Sequence, residues 1–178
     1  MPKYDLSVII PARNEMFLQL TVDDLVAQKR GNTQIIVIAD GAWPDPPGLK
    51  PHKDVTLYHR PTSIGQRAGI NHAARISTAK YILKLDAHCR MDEGFDVKLM
   101  ADCDYKDVIV PRLYNLHGFD WKCTNCGHQT YQGPQLTHCA HCKQDAQHVR
   151  ELIWQPRWNR VTDHMRFDSD LHFQYWRD

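Results

Sequence analysis

No stretch of the 178-residue sequence is apolar for anything near the ~20 residues that a bilayer-spanning helix needs. The opening residues, MPKYDLSVII, lack the long apolar core and small-residue cleavage site of a signal peptide, so the expectation is a soluble, cytoplasmic protein with no membrane partner. Net charge is nearly absent as well. The 22 Lys and Arg against 21 Asp and Glu leave +1, which gives no global signature for nucleic acid or an anionic membrane and leaves partners to be argued from local sites. Six cysteines would suit disulfides in a secreted chain, but four of them fall in two Cys-x-x-Cys pairs, which suggests metal thiolates in a reducing compartment. Cys89 and Cys103 share no such pattern and read as small buried side chains. No internal repeat exists beyond those paired knuckles. What remains, 42% hydrophobic and 24% charged, suffices for one well-packed domain with a small appended module.

LSVIIPA (6–12) is a short β-branched run closed by a proline, and QIIVIADGA (34–42) repeats the plan with Asp-Gly at its end. Both read as buried parallel strands. Between them Phe17, Leu18, Leu25 and Val26 fall near helical spacing, with Gly31 as the expected helix stop. WPDPPGLKP (43–51) is too proline-rich for a ladder and reads as an excursion before the strand VTLYH. IGQRAGINHAARIST predicts a helix entered through Gly65, whose small residues allow close packing on a sheet, and YILKL a fourth strand. Such alternation predicts an α/β fold with an open, doubly wound, mostly parallel sheet whose ligands bind beyond the carboxyl ends of the strands.

Asp86 and His88 follow the fourth strand directly, where such a sheet meets its ligand. Residues two apart in an extended stretch point the same way, so a carboxylate and an imidazole can converge on a divalent cation. Oxygen ligands suit Mg²⁺ or Mn²⁺, and the imidazole shifts the preference toward Mn²⁺. The competing account is an Asp86 that caps the next element beside an incidental surface His88.

SVIIPARNE, IVIADGA, IGQRAGINHAA and YILKLDAH occur in this order. Together, over about residues 4–112, they resemble the nucleotide-sugar half of GT-A glycosyltransferases, particularly family 2. Most of those enzymes carry Asp-x-Asp at the fourth position. The Asp-x-His here is similar to the variant in polypeptide N-acetylgalactosaminyltransferases. The resemblance implies that Pro11, Ala12, Arg13 and Glu15 border the nucleoside pocket, that Asp40 contacts base or ribose, and that Arg67 lies near base and diphosphate. It further implies that Asp86 and His88 hold a metal bridging the two phosphates and stabilising a nucleotide leaving group. Structural alternatives stand beside these roles: a solvated Arg13–Glu15 pair, a capping Asp40 and an exposed helical Arg67.

CTNCGHQTYQGPQLTHCAHC pairs Cys123 and Cys126 with Cys139 and Cys142 across twelve residues. Two such knuckles let four thiolates reach a tetrahedral Zn²⁺, with Gly127 in the turn and no open position for catalysis. His128, His138 and His141 are substitute ligands of second rank. The segment resembles a zinc ribbon, a type common in nucleic-acid-handling proteins. Flanking Lys122, Lys143, Arg150, Arg157 and Arg160 with Trp121, Trp154 and Trp158 suit backbone contacts and base stacking, although a purely structural zinc staple for a short domain is the favoured account. By analogy with phage enzymes, the acceptor is then a hydroxylated base in DNA.

The expected segments are a nucleotide-sugar-binding domain over 1–115, a zinc-ribbon insertion over 116–148, and a C-terminal segment over 149–178 that begins an incomplete acceptor side. Its carboxylates Asp163, Asp168 and Asp170 are the candidate bases, with His164 and His172 as available imidazoles. The family 2 likeness favours inversion and the Asp-x-His likeness retention. The leading expectation is a metal-dependent glycosyltransferase with a nucleotide-diphosphate sugar donor, UDP-linked, and a hydroxyl acceptor. The alternatives are a zinc-ribbon nucleic-acid-binding module on a donor-binding domain without transferase activity, and a nucleotidyltransferase.

Overall fold

A computed structural model of the chain describes residues 3–44, 48–104, 106–162, 164–167, 169–170 and 173–176. Asp163, Asp168 and His172 lie outside the described residues. The chain divides into two compact units, 1–109 and 110–178. None of the described helices is long and apolar enough to cross a membrane.

The first unit runs β1 (Tyr4–Ala12), α1 (Leu18–Gln28), β2 (Thr33–Asp40), β3 (Val55–Arg60), α2 (Gln66–Ile76), β4 (Ala79–Lys84) and α3 (Phe95–Ala101). Its four strands form a sheet of order β3-β2-β1-β4 in which every pair is parallel. The inner strands are the continuous apolar runs: Val8, Ile9 and Ile10 of β1 and Ile35 through Ala39 of β2 are sealed from solvent on both faces. Each such aliphatic side chain stabilises the fold by about 1.5–3 kcal/mol. The outer strands β3 and β4 instead alternate half-buried and exposed positions.

One face of the sheet packs Val8, Ile10, Ile35 and Val37 against Leu18, Val22 and Leu25 of α1 and against Phe95. The other packs Ile9, Ile36 and Ile38 against Ala73 of α2. Gly69 of α2 faces Ile38, where an added Cβ would stand 3.6 Å from the Ile38 Cγ2, so the small helical residues do bring helix and sheet together. Gly31 serves a different purpose from the expected one. Helix α1 ends earlier, at Gln28, where Lys29 turns extended. The buried Asp96 carboxylate then gathers the backbone N–H groups of Arg30 and Gly31 and the Thr33 hydroxyl. A Cβ on Gly31 would come within 3.2 Å of that carboxylate and of Val97, so close approach is what requires glycine here.

The chain lays β2 and β3 to one side of β1 and β4 to the other. The strand order therefore reverses between β1 and β4, and a crevice opens at their carboxyl ends.

The second unit contains β5 (Leu113–Cys123), β6 (Gln129–Tyr131), β7 (His148–Thr162), β8 (His164–Phe167) and β9 (Phe173–Trp176). Its strands form an antiparallel sheet of order β6-β5-β7 and a separate antiparallel pair β8-β9. β5 and β7 thus pair across the expected segment boundaries near 115 and 148, with Cys123 opposite His148. Strand β7 was not legible in the sequence because it contains Pro156, a left-handed Trp154 (φ 52°) and register shifts opposite Tyr114 and His117, all of which spoil simple alternation.

Candidate active site and cysteine centre

The crevice between β1 and β4 is built from two short connections. β1 ends with half-buried Pro11 and buried Ala12, and exposed Arg13, a left-handed Asn14 (φ 53°) and half-buried Glu15 follow it. Glu15 Oε1 accepts the Phe17 N–H at 3.0 Å, just ahead of α1, and Oε2 lies 3.0 Å from His88 Nδ1. Burial works against the Glu15 charge, but the His88 partner and the Phe17 and Met16 N–H groups outweigh it and hold the carboxyl below its ordinary range. The same hydrogen bond raises the His88 imidazole above its ordinary value against partial burial, with the Glu15 and Asp86 charges assisting.

The ladder of β4 ends with the Leu85 N–H donating to the Ile9 carbonyl, and Ala87 and His88 then form a turn. The segment is therefore not the extended tip expected for Asp86 and His88. Thr21 of α1, fully buried, makes the turn: its hydroxyl donates to the Ala87 carbonyl at 2.9 Å and accepts the Cys89 N–H at 3.1 Å. Asp24, one helical turn on, accepts the Met91 N–H at 2.7 Å. Ala87 is thereby buried while His88 faces solvent and the Asp86 side chain stays about half exposed. Asp86 is paired with the Lys84 ammonium. Thr21, Asp24 and Lys84 had not been singled out in the sequence. The available signal was a threonine on the apolar stripe of α1, between Leu18, Val22 and Leu25.

Asp40 ends β2 and is 5% exposed. Its carboxylate accepts the Ser63 hydroxyl at 2.7 Å and the N–H groups of Ile64 and Gly65 at 2.7 and 2.9 Å. Burial opposes its charge, but those three donors and nearby Arg13 prevail and keep the carboxyl below its usual value. Most of its accepting capacity is thus spent on the loop after β3. Gly41 is needed beside it, because its φ is +77° and a Cβ would fall 2.8 Å from the Ser63 nitrogen. Arg67 is exposed in the first turn of α2, and no described residue forms a hydrogen bond or ion pair with it.

The structure therefore brings Glu15, His88 and Asp86 into one electrostatic group and Arg13 and Asp40 into another, and leaves Arg67 apart. Glu15, Asp86 and His88 do not form a set within mutual metal-ligating distance. Of the candidate bases, Asp170 is described and is exposed in the second unit; of the two imidazoles, His164 is the first position of β8.

The four cysteines do form such a set, with ligating atoms all within 4.8 Å of one another. Sγ of Cys123 and Cys142 are 4.0 Å apart and those of Cys126 and Cys139 3.7 Å, against about 3.8 Å for the edges of a tetrahedron with 2.3 Å Zn–S bonds. Backbone N–H groups of Cys142 and His141 help pull the Cys139 thiol down to about 5. At Cys126 the His128 N–H favours the thiolate, but burial and the three neighbouring sulfurs push it up to about 11. The donor set is compatible with zinc. His128 and His141 stack on one another at 5.1 Å and His138 pairs with Asp145 at 2.7 Å, so the histidines stand outside the sulfur set.

The expected stacking platform is only partly exposed. Trp121 is buried, donates to the Gly133 carbonyl at 3.1 Å and lies under the Arg150 guanidinium, while Trp158 is 70% exposed. Lys122 is 3.7 Å from Glu151, and Arg157 lies over the Tyr131 ring.

No curated protein matches the sequence. A family model described as glycosyl transferase family 2 matches residues 7–164, beginning inside β1 and running through the β4 turn, the cysteine segment and β7. With the Rossmann-like parallel sheet and most of the chain covered, the protein belongs to glycosyl transferase family 2, the glycosyltransferases that use nucleotide-sugar donors.

Proposed function

We propose that the protein transfers a sugar from a UDP-sugar to a hydroxyl acceptor, with Asp86 and His88 as ligands of a Mn²⁺ or Mg²⁺ ion at the donor diphosphate. The observation that carries the metal reading is the hydrogen bond between Glu15 and His88 Nδ1, which orients the ring and leaves Nε2 to ligate. A histidine held by a carboxylate on its far nitrogen is the usual outer-shell arrangement of a metal ligand. When bound, the ion supplies Lewis-acid stabilisation of the departing nucleotide.

The chain's own residues would do the rest. Pro11, Ala12 and Arg13 border the nucleoside from the end of β1. Asp40 shapes its wall through Ser63, Ile64 and Gly65, and Arg67 reaches the base or diphosphate from α2. Lys84, paired with Asp86, would be placed to meet a phosphate oxygen beside the ion that Asp86 and His88 would hold. The cysteine set holds Zn²⁺ as a structural staple. An acceptor hydroxyl on a DNA base draws support from exposed Trp158 and Arg150, and the base for an inverting reaction is sought among Asp163, Asp168 and Asp170.

Calorimetry with UDP tests the donor site. Mn²⁺ should tighten UDP binding by about tenfold or more, equivalent to about 1.4 kcal/mol. His88→Ala should remove that increment while sparing metal-free binding, and Asp86→Ala should weaken both. Identical UDP affinity with and without Mn²⁺ would refute the ligand assignment, and pyrophosphate release from a nucleoside triphosphate would indicate nucleotidyl transfer instead.

A further inference from the structure

We infer that the first unit carries a second anion site, for a phosphate group, in the groove between β3 and α2. The groove encloses about 580 Å³ and is lined by Arg60 from the end of β3, Ile64 from the following loop, and Ala68, Asn71, His72 and Arg75 from α2. It lies at the β3 edge of the sheet, two strands from β1, and shares Ile64 with the wall proposed for the nucleoside.

Its chemistry is one-sided. Arg60 Nη1 is 2.9 Å from His72 Nδ1. A guanidinium can only donate, so Nδ1 accepts and the second ring nitrogen, Nε2, carries the proton. Among the described residues, buried Arg60 Nε has no acceptor, which is uncommon in folded proteins. Arg75 is exposed, and no described residue forms an ion pair or hydrogen bond with it. Among the described residues, the lining contains no carboxylate. Asp40, at the end of neighbouring β2, already accepts three hydrogen bonds.

Two guanidinium groups, an imidazole N–H and the Asn71 amide therefore share one groove with no counter-charge among its described lining residues. An oxyanion supplies what the groove lacks. Guanidinium groups match phosphate oxygens in paired hydrogen bonds, and a phosphate offers enough oxygens for two arginines at once. The apolar strip of Ile64 and Ala68 leaves room for the body to which the phosphate is attached.

The phosphate can belong to a small monoester or to the backbone of a nucleic-acid strand, and two probes separate these sources. Inorganic phosphate and a single-stranded thymidine octanucleotide are each titrated into the whole chain while ¹H–¹⁵N spectra are recorded. Shifts centred on Arg60, Asn71, His72 and Arg75 are expected, with an affinity of about 1 mM or better for phosphate. Arg75→Gln should weaken it about tenfold, and Arg75→Lys, which keeps the charge but loses the paired geometry, should fall between. Tighter binding of the octanucleotide assigns a strand, and equal or weaker binding assigns a monoester. Shifts confined to residues 11–15 and 84–88, no shifts with either probe, or an Arg75→Gln protein that binds like the parent would overturn the site. None of these readouts depends on sugar transfer.

Discussion

Glu15 Oε2 and His88 Nδ1 stand 3.0 Å apart, joining the connection after β1 to the turn after β4 across the point where strand order reverses. The two residues are 73 positions apart in the chain. Each perturbs the other in the direction that favours an ion pair.

Glu15→Gln should therefore lower the His88 pKa, as read by the imidazole proton shifts in metal-free protein. The signs define a window. A raised His88 contributes stability in full below its ordinary 6.5 and loses it as pH rises through the raised value. A lowered Glu15 contributes above its ordinary 4.5 and loses it as pH falls through the lowered one. The pair is thus complete between about pH 4.5 and 6.5. His88 is 59% exposed, so the stability at stake is below about 1 kcal/mol. An unchanged His88 titration in Glu15→Gln would show that the contact does not persist in solution.

Asp40→Ala should destabilise the first unit by about 2 kcal/mol, because it strands the Ile64 and Gly65 N–H donors and the Ser63 hydroxyl. Ser63→Ala removes one of the three bonds and should cost about 1 kcal/mol. If Asp40 acts on the nucleotide through this loop, both substitutions lower UDP affinity, Asp40→Ala more. Calorimetry and thermal melts on the same samples check the order.

Asp96→Ala should cost about 3 kcal/mol, since the side chain is fully buried and its loss leaves the Arg30 and Gly31 N–H groups and the Thr33 hydroxyl unpaired. Burial opposes the Asp96 charge, yet these donors and the Val97 N–H hold the carboxyl below its ordinary 3.8. Its contribution is therefore present above about pH 3.8 and lost as pH falls through the lower folded value. Denaturant melts of parent and Asp96→Ala should converge in strong acid, and parallel acid dependence would contradict this.

Metal analysis should find about one Zn²⁺ per chain, and Cys139→Ser should lose it and unfold the second unit. Among residues of that unit whose burial is described, the buried side chains are Trp121, Cys123, Cys139 and His148, so the sulfur centre is much of its core. Tryptophan fluorescence from Trp121 should report the loss. Zinc-free parent protein with an unchanged spectrum would remove the structural role.

The first unit was legible from local pattern because its information is local. Val8 to Ile10 and Ile35 to Ala39 are uninterrupted apolar runs, and a run of that kind is stable only as an inner strand covered on both faces. Gly69 and Ala73 marked the helix face that meets the sheet. The cysteine centre was legible for the same reason, since two knuckles bring their own turns and ligands. Strand β7 was not, because Trp154 and Pro156 interrupt its period and its pairing with β5 depends on register shifts that appear only when both strands are present.

Residue types at the strand ends were likewise written in the chain: an acid after β2, an acid and a histidine after β4, a glutamate after β1. Their use was decided in three dimensions. Asp40 is turned inward by donors 23 to 25 residues away. Asp86 and His88 leave the extended geometry because Thr21, from a helix 66 residues earlier, holds Ala87 in a turn. Glu15 finds His88 only once β1 and β4 lie side by side. Apolar burial is set by neighbours in sequence and so can be read from it. A hydrogen bond between distant polar groups exists only when packing has fixed both partners to within a few tenths of an ångström, and no local pattern encodes that.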